Sequence, residues 1–260
     1  RQPSYKGENG GNQARQTLLS GLFQTTCRPL RGRRRGHNKR CPWAIHGLVF
    51  ATYRQLLFKV IVHPYTMKQQ NYRILGDNDA DYCLIQAVDE HDEQLLEKEF
   101  DAIRQRCNSR KVMLAAFLVD NWFHDLSPWK APAVFGKTNF GDGATNTLNF
   151  VVNTFIPHLT NNVLAKPTKT QFIIGGYSLA GLFALWAVTQ TKHFKACAAA
   201  SPSVWFPNWT TYASTCHFHA DTIYLSLGNK ETKAKNQLLA HVGEDMESLL
   251  RLLEKQENNV

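Results

Sequence analysis

Phe172-Ile173-Ile174-Gly175-Gly176-Tyr177-Ser178-Leu179-Ala180-Gly181, continued to Gln190, is the stretch that decides the fold of this chain. Phe172 to Gly175 reads as a buried strand. Leu179 to Gln190 reads as a helix with Leu182, Phe183, Leu185 and Trp186 to bury. A serine on so sharp a strand-to-helix turn has its hydroxyl pushed up into a cleft, where it can act as a nucleophile. Gly176 and Ala180, two positions either side of Ser178, let strand and helix approach closely. The competing assignment is a serine that caps its own helix. Strand, glycine pair and helix together favour the elbow. Ala180 stands where the commoner pattern has glycine, a departure small enough to keep the geometry.

Working outward, charge separates a tail from a body. The chain has 260 residues and a net charge of +9. Residues 1–45 hold ten Lys or Arg against one acid, Glu8, so this segment carries +9 by itself and the remainder is neutral. The segment is rich in Gly, Asn and Gln without an apolar period, and is expected to be a basic, disordered arm. Its Arg31-Gly32-Arg33-Arg34-Arg35 run has no interleaved stacking aromatics, which argues against nucleic-acid binding. The body, 46–260, is expected to be one globular domain. Six cysteines (Cys27, Cys41, Cys83, Cys107, Cys197, Cys216) show no metal-ligand spacing, and Cys83, Cys107 and Cys197 fall on apolar stretches. Buried free thiols imply a reducing, cytoplasmic setting. No apolar run reaches transmembrane length, and neither a metal nor an organic cofactor is called for.

Strands are expected at 81–88, 111–119, 172–175, 194–200 and 222–227, and helices at 92–110, 145–155, 179–190 and 234–253, with Pro157 ending or kinking the second. Residues 47–62 are ambiguous. Alternation of this kind specifies a mostly parallel sheet with helices on both faces. Ligands then sit at the carboxyl ends of the strands, which selects the loops after Val119, Gly175, Ala200 and Leu227. The first, Asp120 to Trp129, is expected to contribute an oxyanion donor at Asn121 or Trp122, beside the Leu179 amide at the head of the elbow helix. Tyr177, His124, Trp129 and Trp205 are the candidates to line a substrate pocket. Glu231, in the last loop, sits where an acid follows the nucleophile in chain order.

Gly176-Tyr177-Ser178-Leu179-Ala180-Gly181, Asp125-Leu126-Ser127-Pro128-Trp129, Ser201-Pro202-Ser203-Val204-Trp205 and Leu225-Ser226-Leu227-Gly228-Asn229-Lys230-Glu231 together resemble the esterases similar to enterochelin (siderophore) esterase. The likeness runs from about Tyr72 to Leu253 and is specific in combination. It implies an α/β-hydrolase fold and a serine carboxylic-ester hydrolase, with Ser178 matching the nucleophile and Glu231 the acid. The substrate it implies is a small-molecule ester.

The resemblance also places a catalytic histidine one strand beyond the final helix, and the sequence ends at Val260 before any such strand. The expectation is therefore a sheet lacking its last strand, a truncated esterase and low or absent activity. His124 and His241 are the two histidines that could substitute for the base; His193, His217 and His219 belong at the other edge of the sheet. Three alternatives stay open: a non-catalytic binding protein on the hydrolase fold, a domain tethered to nucleic acid by the basic arm, and an acyltransferase on the same scaffold.

Overall fold

The computed structural model of the chain describes residues 72–107, 109–134, 136–228 and 241–257. The basic arm, the ambiguous 47–62 stretch and Glu231 lie outside the described residues. Among the described residues there are six strands: β1 (Tyr72–Gly76), β2 (Tyr82–Val88), β3 (Val112–Leu118), β4 (Gln171–Tyr177), β5 (Ala196–Ala200) and β6 (Thr222–Ser226). They form one sheet in the order β1-β3-β2-β4-β5-β6. β1 runs antiparallel to β3, and every other pairing is parallel. This is the mostly parallel sheet, with helices on both faces, of an α/β-hydrolase-type fold.

The apolar runs of β2, β3 and β5 are explained by burial on two sides. Met113, Ala115 and Phe117 of β3 face one core, shared with the elbow helix and the final helix. Val112, Leu114 and Ala116 alternate into a second core against Leu96, Phe100 and Ile103. β6 pairs with β5 at one edge of the described sheet, and its residues stay half-exposed or exposed. Cys83, Cys107 and Cys197 are buried free thiols. Desolvation pushes the Cys83 thiol up to about 12 and the Cys107 thiol up to about 11, which suits packing rather than reactivity.

Four expectations change. β1 has no counterpart in the sequence assignments, because five residues with irregular burial give no period to read. The helix expected over 92–110 divides into Glu90–Glu93, capped by the Asp89 carboxylate, and Leu96–Arg106. The helix that Pro157 was expected to end starts at Ala144 and continues to Val163. Two π-helical turns, Val151–Phe155 and Leu159–Val163, flank the proline. Their wider ladder, with Ile156 N–H bonded to the Val151 carbonyl, accommodates the missing donor and the ring. The final helix is described over Val242–Glu257, past its expected end at Leu253, while its expected beginning at 234 lies outside the described residues. Its Gln256 side chain donates to the Cys216 carbonyl and accepts from the Phe218 N–H.

Candidate active site

The elbow helix, Leu179–Gln190, is buried on all sides from Leu179 through Val188, and only its last two residues, Thr189 and Gln190, reach solvent. Its head is fixed by β4 below and β5 beside. Ser178 N–H donates to the Ala200 carbonyl at 3.0 Å, and Leu182 N–H to the Ser178 carbonyl at 3.1 Å. Between them Ser178 takes φ 56°, ψ −120°. A side chain rarely adopts that backbone, at a cost of about 1–3 kcal/mol, and such strain persists only where the surroundings over-determine it. Here they do. A Cβ at Gly176 would stand 2.6 Å from Ala180 Cβ and 2.7 Å from its carbonyl carbon, so only glycine lets strand and helix close on each other.

Ser178 makes no side-chain capping bond to its helix. That separates the elbow from the cap: the hydroxyl makes no bond to the amides a capping serine would bond. Ser178 is half-buried, and its Oγ lies 3.3 Å from Ser203 Oγ. The Leu179 N–H heads the helix, where no helical carbonyl exists to receive it, and it carries the positive end of the peptide dipoles.

The loop after β3 turns into a short helix, Trp122–Asp125, capped by the Asn121 side chain, which accepts from His124 N–H. Asn121 as an oxyanion donor is corrected: its own N–H is committed to Asp125 Oδ2 at 2.9 Å. Trp122 remains, its amide heading that helix. Trp129 is also reassigned. Its indole N–H donates to the Pro207 carbonyl at 2.9 Å and its ring packs on Phe206 and Tyr212, so it braces the two loops against each other. Trp205, half-buried, packs toward Phe140, which in turn meets Phe123 edge-on. Tyr177, at the end of β4, packs against the second core.

The ionisable groups collect on the β3 loop. His124 Nδ1 lies 3.0 Å from Asp125 Oδ1, and its Nε2 lies 3.8 Å from Asp142 Oδ1. Lys130 reaches Asp142 at 3.5 Å. The imidazole is exposed and sits against Gly141. His241 is likewise exposed and pairs with Glu244 at 2.9 Å. His193 bonds Thr191 beyond the far end of the elbow helix, and His219 N–H bonds the Val188 carbonyl there. Among the described residues, the side-chain partner of Ser178 Oγ is a serine and not one of these histidines. No group of three or more His, Cys, Asp or Glu among the described residues could hold a metal ion. No described helix is long and apolar enough to cross a membrane.

Two residues escaped the sequence assignments. Ser203 stands two residues before Trp205 in the same loop, and its signal is a hydroxyl three residues past β5. Asp142, between two glycines, carries no signal in the sequence, because only the folding of its loop onto His124 brings it there.

The family model described as "Putative esterase" matches residues 119–259, more than half of the sequence. The chain belongs to that family. It is an esterase-type hydrolase in the broad sense. Among solved structures, this esterase superposes on the siderophore hydrolase EstA from Aspergillus nidulans with a TM-score of 0.51 at 20% identity, over 72% of this chain and 75% of that one. An IroE-like serine hydrolase from Shewanella oneidensis gives a TM-score of 0.57 at 16% identity, over 72% of this chain and 65% of that one. The esterase thus spans just under two thirds of the length of the Shewanella protein. At these identities the likeness is one of fold. No curated protein sequence gives a significant match.

Proposed function

We propose that the chain is a serine carboxylic-ester hydrolase that works through an acyl-enzyme on Ser178. One observation carries this: a non-glycine residue held at φ 56° between a buried strand and a buried helix, with a hydroxyl that does not cap the helix. In this reading Ser178 Oγ attacks the ester carbonyl and its hydrogen passes to a base. The tetrahedral oxyanion takes the Leu179 N–H and the Trp122 N–H as donors. The carbon–oxygen bond to the leaving alcohol breaks, the alcohol departs with the proton, and water repeats the sequence to free the acid. Glu231, outside the described residues, is the acid by resemblance alone. The Aspergillus neighbour is a siderophore hydrolase, and siderophore esters are carried into the proposal as the first substrates to try beside short-chain aryl esters.

Labelling by a fluorophosphonate probe, lost in Ser178→Ala, together with turnover of p-nitrophenyl butyrate, is the expected outcome. A second reading, a binding protein on the same fold, is favoured by the serine rather than histidine partner of Ser178. It predicts a folded protein that binds ester analogues with neither labelling nor turnover.

A further inference from the structure

We propose that Ser203 is a positioning residue of this esterase site. Its hydroxyl donates to Ser178 Oγ, aims the Ser178 hydrogen outward and stabilises the charge that gathers on Oγ as that hydrogen leaves. The inference rests on Ser178 being the nucleophile.

The two serines are joined twice. Their hydroxyl oxygens are 3.3 Å apart, and Ser203 N–H donates to the Ser178 carbonyl at 3.1 Å. Exposure decides which hydroxyl gives its hydrogen. Ser203 is only 1% exposed, and among the described residues its hydroxyl has Ser178 alone for a partner. Ser178 is half-buried and can turn its own hydrogen toward solvent or a base. Leaving a buried donor unpaired is the costlier arrangement, so Ser203 donates and Ser178 accepts.

The segment that carries Ser203 is built to hold still. Phe206 N–H closes onto the Ser203 carbonyl at 2.9 Å, and Val204 N–H onto Pro202 at 2.7 Å. Ser201 is forced to φ 43°, and its N–H and its hydroxyl are both engaged. Its N–H meets the Ser226 carbonyl at 2.7 Å, and its hydroxyl accepts from Gly228 N–H at 3.2 Å.

The chemistry favours a gain in the transition state. While the Ser178 O–H bond breaks and the bond from Oγ to the acyl carbon forms, Ser203 keeps its hydrogen throughout. Its bond to Oγ is charge-assisted during that step. In the acyl-enzyme the same oxygen is an ester oxygen, a poor acceptor, and the bond weakens. A contact stronger at the barrier than on either side accelerates the step.

The test measures the inactivation rate constant and the apparent binding constant for a fluorophosphonate on the full chain, with melting temperatures, for wild type, Ser203→Ala and Ser203→Cys. Ser203→Ala is expected to lower the rate constant roughly ten- to hundredfold with binding within about twofold. Ser203→Cys, a weak donor, should fall between. An unchanged rate constant in folded Ser203→Ala, against wild-type labelling that Ser178→Ala abolishes, overturns this inference and leaves the esterase reading standing. If Ser203→Ala does not fold, Ser203→Cys decides alone, a wild-type rate overturning the inference. No labelling of the wild type defeats both.

Discussion

Two loops leave the same edge of the sheet, one after β3 and one after β5, and they are built in opposite ways. The β5 loop buries Ser201, Pro202, Ser203 and Val204, carries no charge, and touches Ser178 through neutral hydroxyl and amide contacts. The β3 loop carries His124, Asp125 and Lys130 and meets Asp142, mostly in contact with solvent. Charged groups draw attention in a sequence, yet water screens them where they stand, and exposed ion pairs contribute little. Uncharged hydroxyls are unremarkable in a sequence, but buried beside a reacting atom each one fixes a geometry. Position relative to solvent, more than chemical type, separates the loop expected to govern the site from the loop expected to frame it.

The sharpest way to break this contrast is Ser178→Ala. Covalent labelling should fall by roughly a thousandfold or more, while urea unfolding loses about 1–3 kcal/mol, since no capping bond is lost but the buried Ser203 hydroxyl is left without its partner. Labelling that survives would move the chemistry away from the β5 side. Next in size is Gly176→Ala, which drives a Cβ into the first turn of the elbow helix. A loss of about 1–3 kcal/mol in urea unfolding is expected, with slower labelling in whatever remains folded. Wild-type stability there would mean that the strand and helix are not in close contact.

Trp129→Phe sharpens the contrast from between the loops. It removes the indole bond to the Pro207 carbonyl and keeps most of the ring packing. About 1 kcal/mol should be lost, read from chemical denaturation. The smallest effect is assigned to the charged side. His124→Ala should leave labelling within about twofold and stability within about 0.5 kcal/mol, with any difference erased by high salt. A large, pH-dependent loss of labelling in that variant would restore His124 as a base and reverse the comparison.

The elbow was legible because everything that makes it is local. A buried strand, a glycine, a serine and an apolar helix occupy consecutive positions, and the Leu179–Gln190 helix begins and ends where its residues say. β2, β3 and β5 were legible for a similar reason, since burial on both faces leaves continuous apolar runs. β1 was not, because a five-residue edge strand of mixed exposure leaves no pattern. Pro157 misled because its effect depends on the two wide turns around it, which no single residue announces. Asn121 misled in the same way: a loop amide is a free donor until a carboxylate four residues on folds back to take it.

By itself, the order of residues determined the alternation of strands and helices, the two-sided burial of the central strands, and the bend at Ser178. Those depend on neighbours in the chain and on the period of apolar side chains, both written along one line. Tertiary structure alone decided which groups stand around that bend. Ser203 reaches Ser178 across 25 residues, and Trp129 reaches Pro207 across 78. Contacts of that span exist only after parallel pairing has brought separate loops to one rim, so no local pattern states which residue meets which.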